Sequence, residues 1–329
     1  MKIFEDYKKT LKSSETDDWV DVKIVRPFAY LFAKFFARLG THPNTVTIIS
    51  MFIGAISALG FMHGSYYYEG SAGLWFNIAA ILLLLLADVL DCTDGQLARM
   101  TGKCSPMGRI LDGIAGFAWF VPIYVLLVYR FYCHHSIEFG WFGIADTSEN
   151  ALIATVVVFI LGLLSGIYGI AGQQRMADYY IQVHLFFLKG EKGSELDNSM
   201  VQKELYESKP WKGNFIWKFF QWNYVGYTRK QEKRTPEFQH LLAVLKEKYG
   251  TATNMPSDVR QQLHDSSLKL MFLNGLLTFN FRTFWLVLFC LIDLPAEFFI
   301  FEAGVMSLLC FYIINRHEAF CRRVAQQIA

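Results

Sequence analysis

The 329-residue chain is predicted to be an all-α integral membrane protein, with six transmembrane helices and an N-terminal amphipathic helix at the membrane interface. Hydrophobic residues make up 53% of the chain and charged residues only 18%, which is more apolar surface than a soluble domain can bury. Windows of about 20 apolar residues predict the spans 44–63, 71–98, 106–132, 151–175, 267–292 and 294–316. We divide the chain into an N-terminal region 1–43, a membrane core 44–189, a polar insert 190–266 and a final part 267–329 with the last two spans.

The distribution of basic residues predicts how the spans are oriented. Segments 62–70, 133–150 and 292–297 contain no Lys or Arg. The basic residues fall in the alternate segments: Lys103, Arg109, several in the stretch 189–234, and Arg316, Arg322 and Arg323. Because cytosolic loops carry the excess of Lys and Arg, both termini are predicted to be cytosolic in a multi-pass membrane protein, in the inner membrane if the source is bacterial. The polar N-terminal stretch does not have the pattern of a signal peptide.

The region before the first span predicts the interfacial helix. Between Val25 and Leu39, basic residues alternate at helical spacing with Phe28, Leu31 and Phe35. Such a helix is expected to lie along the membrane surface with its aromatic face in lipid. The alternative is a core helix of a small soluble cap.

Spans two and three carry the most informative pattern of the chain. Asp91, Asp94, Gly95 and Ala98 are spaced i, i+3, i+4 and i+7, so two acids and two small residues share one stripe of a helix. On the next helix, Gly108, Asp112 and Gly116 are four residues apart and form a second narrow stripe. The two stripes are expected to face each other across a short hairpin.

Three carboxylates at that position predict a metal site at the cytosolic edge of the membrane. Without a counter-charge they would repel one another, and charge inside a membrane is costly. Hard oxygen ligands favour Mg²⁺, Mn²⁺ or Ca²⁺ over zinc. The alternative is that these acids are helix caps and solvated turn residues.

The ordered residues Asp91, Asp94, Gly95, Ala98, Arg99, Gly108 and Asp112 resemble the signature D-x2-D-G-x2-A-R-x8-G-x3-D-x3-D of the CDP-alcohol phosphotransferases, integral membrane enzymes of phospholipid synthesis. The segment from Thr41 to Thr47 is also similar to the family's usual start of the first span. The resemblance covers residues 25 to 190 well and the last third of the chain poorly.

The resemblance implies a reaction and its participants. A CDP-linked lipid donor such as CDP-diacylglycerol would give its phosphatidyl or phospho-alcohol group to a small alcohol, with release of CMP. Asp91, Asp94 and Asp112 would bind two Mg²⁺ or Mn²⁺ ions, while Gly95, Ala98, Arg99 and Gly108 would contact the CDP moiety. Inositol or inositol phosphate is the first expectation for the acceptor, and glycerol phosphate, serine, choline and ethanolamine remain open. The resemblance further implies a homodimer.

The chain departs from the signature at one position, where Gly116 replaces the fourth Asp, which is the family's usual metal ligand and catalytic base. Asp88, one turn before Asp91, is the nearest spare carboxylate and a candidate surrogate base. The helical pattern of the fourth span can continue beyond the membrane to about Leu188, and Asp178 on this continuation is a second candidate. With Gly116 in place, one bound ion instead of two is an alternative. A silent family member that binds CDP-lipid and a cation transporter also remain alternative functions.

The rest of the chain predicts structural roles. The segment 211–224 interleaves Trp and Phe with Lys, which favours a second interfacial element over a nucleic-acid surface. Arg282 and Glu302 fall inside spans five and six at similar depth and are expected to form a structural ion pair. The six cysteines show no paired spacing and are interpreted as small apolar residues in a reducing compartment.

Overall fold

The computed structural model describes residues 21–329, without the side chains of Asp21, Val22, Pro106, Arg109 and Lys192. The predicted cytosolic N-terminal stretch and the side chain of Arg109 therefore lie outside the described part. The described residues form helices and no strand. The predicted all-α fold class is thus confirmed.

The α-helices of six residues or more follow one another with mostly short connections in the described chain. They are α1 (Arg26–Arg38), α2 (Pro43–Met62), α3 (Ser71–Thr101), α4 (Pro106–Cys133), α5 (Ser136–Phe142), α6 (Ser148–Leu164), α7 (Arg175–Lys189), α8 (Ser199–Glu207), α9 (Phe215–Arg234), α10 (Pro236–Tyr249), α11 (Ser257–Gly275), α12 (Phe279–Leu291), α13 (Pro295–Ile300) and α14 (Ser307–Ile328). A π-helical segment Ser165–Gln174 joins α6 to α7, and another, Phe301–Met306, joins α13 to α14.

Six helical stretches of the described chain are long and apolar enough to cross a membrane: Pro43–Met62, Ser71–Thr101, Ile110–Cys133, Ser148–Lys189, Ser257–Leu291 and Pro295–Ile328. Each overlaps one of the six predicted spans, so the prediction of six long apolar helices is confirmed. The predicted continuation of the fourth span is also present, because the helix runs on to Lys189.

The fifth span differs from its prediction. The sequence predicts one helix over 267–292, whereas α11 ends at Gly275 and α12 begins at Phe279. Glycine has low helix propensity, and the preceding Asn274 uses its side-chain amide to donate to the Ala177 carbonyl at 3.0 Å. The apolar run therefore contains a helix break that hydropathy does not reveal.

The chain divides into two compact units. Unit 1 contains the chain up to Ala171 together with Phe279–Val305, and unit 2 contains Gly172–Thr278 together with Met306–Ala329. The motif residues and the Arg282–Glu302 pair lie in unit 1. The whole polar insert and all of α14 lie in unit 2.

In unit 1, small residues allow α2 to approach its neighbours closely. A Cβ atom at Gly54 would stand 2.1 Å from Cδ1 of Trp119 on α4, and one at Gly60 would stand 2.8 Å from the Phe76 carbonyl oxygen on α3. Only glycine fits at such distances, as is common for helices packed in membranes. The close packing fixes α3 and α4, which carry the motif, against α2.

Helix α1 packs along the motif helix. Its buried face holds Ala29, Tyr30 and Ala33, whereas Phe28 and Phe35 on the opposite face are exposed. The Thr93 hydroxyl donates to the Ala29 carbonyl (3.3 Å), and the Gln96 amide of α3 donates to the Arg26 carbonyl (3.1 Å). The predicted amphipathic helix is present, and its placement at the lipid interface remains a prediction.

The intramembrane ion pair of unit 1 is confirmed. Arg282 Nε lies 2.5 Å from Glu302 Oε1, and both side chains are almost completely buried. The hydroxyl of Tyr124 donates to the other carboxylate oxygen. A Cβ atom at Gly169 would stand 2.3 Å from Glu302 Oε1, so the absence of a side chain at that glycine makes room for the buried carboxylate.

Candidate active site

The hairpin between α3 and α4 brings the three motif carboxylates together. Asp91, Asp94 and Asp112 each offer one carboxylate oxygen, and these three oxygens lie within 4.8 Å of one another. The two small-residue stripes therefore face each other, as their spacing predicts. These three side chains form one group of ligand atoms that could hold a metal ion.

The local sequence explains the tight hairpin. Gly102, with φ of 67°, ends α3 in the left-handed conformation, which glycine adopts without strain. Ser105 then caps α4, because its hydroxyl accepts a hydrogen bond from the Gly108 amide at 3.0 Å, and Pro106 occupies the first turn. The connection is short, so Asp112 on the second turn of α4 lies opposite the acids of α3.

The three carboxylates lie in different surroundings. Asp94 is buried, with 6% of its surface exposed, and accepts a short hydrogen bond from the Thr47 hydroxyl of α2. Asp91 is half-buried, and its Oδ1 atom has no hydrogen-bond partner among the described residues. Asp112 is exposed at the edge of the group. The group therefore runs from the interior of the helix packing to its surface.

These surroundings fit a hard divalent cation. The donor atoms are all carboxylate oxygens, which Mg²⁺, Mn²⁺ and Ca²⁺ prefer. A buried oxygen without a donor, such as Asp91 Oδ1, loses its hydration and gains nothing in return. A cation bound between the carboxylates would offset that loss and the repulsion between them.

The predicted nucleotide-binding residues lie around this group. Arg99 is exposed, and its guanidinium would be 3.4 Å from a Cβ atom at Gly95. Gly108 lies beside α2, where a Cβ atom would be 3.1 Å from Asn44 Oδ1. Ala98 is half-buried on the stripe that carries Gly95. An arginine and three minimal side chains therefore border the carboxylates.

Position 116 is open. A Cβ atom at Gly116 would meet nothing within 4 Å, so the structure has room for the carboxylate that the signature places there. Asp88 is half-buried and close enough to Asp91 for electrostatic repulsion. Asp178, the other candidate base, lies in unit 2 and accepts a hydrogen bond from Gln174 at 3.0 Å.

The sequence did not assign roles to Thr47 and Asn44. Both belong to the segment quoted for the start of the first span, and the structure brings Thr47 to Asp94 and Asn44 to Gly108. The N-cap His42 and Pro43 set this start, since His42 Nδ1 accepts from the Asn44 amide at 3.2 Å. Two polar residues in the first turn of an apolar helix are the signal that could have indicated these contacts.

Comparison with known proteins finds one family that is similar to part of the chain. The model of the CDP-alcohol phosphatidyltransferase family matches residues 40–167. Those residues are therefore similar to a CDP-alcohol phosphatidyltransferase domain. The matched stretch contains all three motif carboxylates, Asp88 and the open position at Gly116.

Several curated proteins are similar to this stretch and its surroundings. Human cholinephosphotransferase 1 is 27% identical over 148 residues, which are 38% of this chain and 36% of the relative. Choline/ethanolaminephosphotransferase 1 of Arabidopsis thaliana is 34% identical over 90 residues, which are 27% of this chain and 23% of the relative. Archaetidylinositol phosphate synthase of Aeropyrum pernix is 36% identical over 81 residues, which are 24% of this chain and 36% of the relative.

The similarity is thus confined to part of each protein. The matched stretches span between 23% and 37% of the length of the first relatives. No solved structure matches the chain. The family match ends at residue 167, within the fourth span and short of the residue 190 to which the resemblance was expected to extend. It does not reach the insert or the last two spans.

Proposed function

We propose that the protein transfers a substituted phosphate group, such as a phosphatidyl group, from a CDP-linked lipid donor to an alcohol and releases CMP in phospholipid synthesis. The observation that carries this proposal is the meeting of Asp91, Asp94 and Asp112 within 4.8 Å. The family match over residues 40–167 supports the reaction class.

In this proposal Asp91, Asp94 and Asp112 hold Mg²⁺ or Mn²⁺, with two ions expected and one if Gly116 leaves the second position incomplete. Bound ions of this kind cancel charge on the attacking and leaving oxygens of an in-line displacement. Thr47 holds the Asp94 carboxylate in place through its hydroxyl. Arg99 contributes positive charge near the donor phosphates.

Gly95, Ala98 and Gly108 have a different role in the proposal. Their small side chains leave space for the cytidine nucleotide beside the acids. Larger side chains at these positions would occupy that space, and at Gly108 they would also press against Asn44.

Asp88 is proposed as the base that takes the proton of the attacking hydroxyl. It lies one turn from Asp91 on α3 and close enough to repel it electrostatically. A positioned carboxylate can accelerate such a proton transfer by about 10²–10⁴-fold. A glycine at position 116 cannot take a proton, so another group is required.

The acceptor class has two candidates. Inositol or inositol phosphate is the first, and the archaetidylinositol phosphate synthase of Aeropyrum pernix is a relative whose name fits it. A choline- or ethanolamine-type transfer is the second, supported by the human and Arabidopsis relatives, which carry those names. The matched stretch of the human cholinephosphotransferase, 148 residues, is longer than the 81 residues of the archaeal protein.

The proposal places the site and both termini on the cytosolic side, because the segments 62–70, 133–150 and 292–297 lack Lys and Arg. It also includes a homodimer, by analogy with the family. Light scattering of the purified protein in detergent tests the dimer, and cysteine-accessibility labelling at the exposed Cys104 and Cys133 tests the orientation.

CMP release from CDP-diacylglycerol and from CDP-choline, each with a panel of acceptors and with or without chelator, tests the reaction. Chelator-sensitive CMP release that requires one acceptor is expected. Metal-dependent nucleotide binding without CMP release would instead indicate a silent scaffold. Loss of both properties would leave cation transport as the function to examine.

Asp88→Asn tests the base. Turnover is expected to fall about 10²-fold or more, while Mn²⁺ binding stays within about twofold of the unsubstituted protein. Adding Gly116→Asp to the Asp88→Asn protein is expected to restore turnover, because position 116 has space for the side chain. Unchanged turnover in Asp88→Asn would remove Asp88 from the mechanism.

A further inference from the structure

Unit 2 contains a second cluster of possible metal ligands, far along the chain from the motif. The donor atoms of His317, Glu318 and Cys321 on α14 all lie within 4.8 Å of one another. His317 Nδ1 is 3.7 Å from Glu318 Oε1 and 3.7 Å from Cys321 Sγ. Cys321 follows His317 by four residues and Glu318 by three, which places all three side chains over the same turn.

These distances suit a tetrahedral ion. With zinc bonds of about 2.0–2.2 Å to nitrogen or oxygen and about 2.3 Å to sulfur, neighbouring donors stand about 3.4–3.6 Å apart. The two separations from His317 Nδ1 are each 3.7 Å. They are longer than this range by only about 0.1–0.3 Å. Small side-chain adjustments would therefore be enough to hold one ion.

The hydrogen bonding of Glu318 leaves one oxygen for such an ion. Oε2 accepts from the Glu237 amide of α10 at 2.6 Å, which fixes the carboxylate. Oε1 is buried and has no hydrogen-bond partner among the described residues. His317 Nδ1, at 3.7 Å, is too far from Oε1 for a hydrogen bond. Since a buried carboxylate oxygen without a hydrogen bond is costly, a cation bound to Oε1 would explain its position, and the backbone amide of Glu237 would orient the ligand from behind.

The side chain of His317 is buried among aromatic rings. Its ring lies 4.3 Å from that of Tyr180, 5.7 Å from Phe238 and 4.6 Å from Phe320, measured between centroids. The side chain of His317 is 3% exposed and that of Glu318 is 12% exposed. Tyr180 Oη is also buried without a hydrogen-bond partner among the described residues, so a fourth position is left to this hydroxyl or to a water molecule.

We propose that His317, Glu318 and Cys321 bind a zinc ion that fixes α14 against α10 within unit 2. A set of one nitrogen, one sulfur and one oxygen favours zinc over Mg²⁺ or Ca²⁺, which prefer oxygen alone. The carboxylate of Glu318 links the two helices. One of its oxygens would bind the ion, and the other accepts a hydrogen bond from the backbone amide of Glu237 on α10. This site goes beyond the proposed transferase reaction and does not depend on it.

The full-length protein in detergent, depleted of zinc and titrated with Co²⁺, tests the site. A thiolate-to-cobalt charge-transfer absorption with one Co²⁺ per chain is expected, and zinc should displace it. Carboxylates alone do not give this absorption, so ions at Asp91, Asp94 and Asp112 do not imitate it. Absence of the absorption in the unsubstituted protein would overturn the proposal.

Two cysteine variants locate the thiolate. Cys321→Ser is expected to abolish the absorption, while Cys290→Ser, a matched control at an equally buried cysteine of unit 1, is expected to retain it. An unchanged absorption in Cys321→Ser would overturn the assignment.

Glu318→Gln provides a variant of nearly the same size if Cys321→Ser does not fold. It should weaken Co²⁺ binding by roughly 10-fold or more. Unchanged Co²⁺ affinity in this variant would exclude the three-residue site.

Discussion

Two of the charged groups among the apolar helices of unit 1 differ in how their charge is balanced. Glu302 has Arg282 at 2.5 Å and the Tyr124 hydroxyl as partners. Asp91, by contrast, has a buried oxygen without a partner among the described residues and two other acids beside it. For Glu302 the chain itself supplies the opposite charge, which indicates a structural ion pair. For the three aspartates it does not, which indicates a site where a bound ligand supplies the opposite charge.

The largest effect expected is the loss of turnover in Asp94→Asn. The substitution keeps the size of the side chain but removes the charge that would hold the ion. A bound ion stabilises the charge of the transition state by several kcal/mol. The rate of CMP release should therefore fall about 10³-fold. Thermal unfolding of the variant is expected to stay near that of the unsubstituted protein, so a large drop in stability would weaken the contrast with the ion pair.

Disruption of the ion pair should affect stability first. Glu302→Gln leaves Arg282 buried without its partner, which is expected to cost about 3–5 kcal/mol of unfolding free energy. Denaturation in mixed micelles, followed by circular dichroism, measures this loss.

The double variant Arg282→Met with Glu302→Leu is the matched control. It should recover most of the stability, because apolar replacement of a whole buried pair is often neutral. If the double variant is as unstable as the single one, the pair has a role beyond neutralisation.

Gly116→Asp tests the open side of the carboxylate group. A fourth acid one turn from Asp112 is expected to tighten Mn²⁺ binding about 10-fold, since 1.4 kcal/mol of added attraction corresponds to that factor. Gly113→Asp is the control, because a side chain there would also meet nothing within 4 Å. Equal tightening in both variants would mean that added negative charge, and not its position, is responsible.

The smallest effect is expected for Thr47→Val, which keeps the shape of the side chain and removes its hydroxyl. The loss of the hydrogen bond to Asp94 is worth about 1 kcal/mol, so Mn²⁺ affinity measured by calorimetry should fall about fivefold. Thr45→Val, in the same turn of α2, is the control. An effect of Thr45→Val as large as that of Thr47→Val would argue against a specific role for the hydroxyl.

The sequence predicted features that depend on local periodicity. The spacing of Asp91 and Asp94 determined which face of α3 they share, and the short connection before Asp112 limited where the second stripe could lie. The Arg282–Glu302 pair followed from equal depth in two consecutive spans. In each case the residues are close in sequence, so helix geometry and a short connection largely determine how far apart they lie in space.

Contacts between distant segments were not predictable in the same way. Hydropathy marks Thr47 as part of a span but does not say which helix it faces. Hydropathy likewise does not show the helix break after Gly275 or the adjacent hydrogen bond from Asn274 to Ala177. The approach of Glu318 to the amide of Glu237 likewise depends on tertiary packing, although the i, i+4 spacing of His317 and Cys321 was visible in the sequence.

The contact between Gly54 and Trp119 would limit the path of the proposed lipid substrate. Gly54 is seven residues beyond Thr47, about 10 Å further along α2, and there the indole of Trp119 rests directly on the α2 backbone. Acyl chains therefore cannot pass between α2 and α4 at that depth. In the proposed complex, the acyl chains of a lipid whose headgroup lies at the three aspartates would therefore leave between other helices of unit 1.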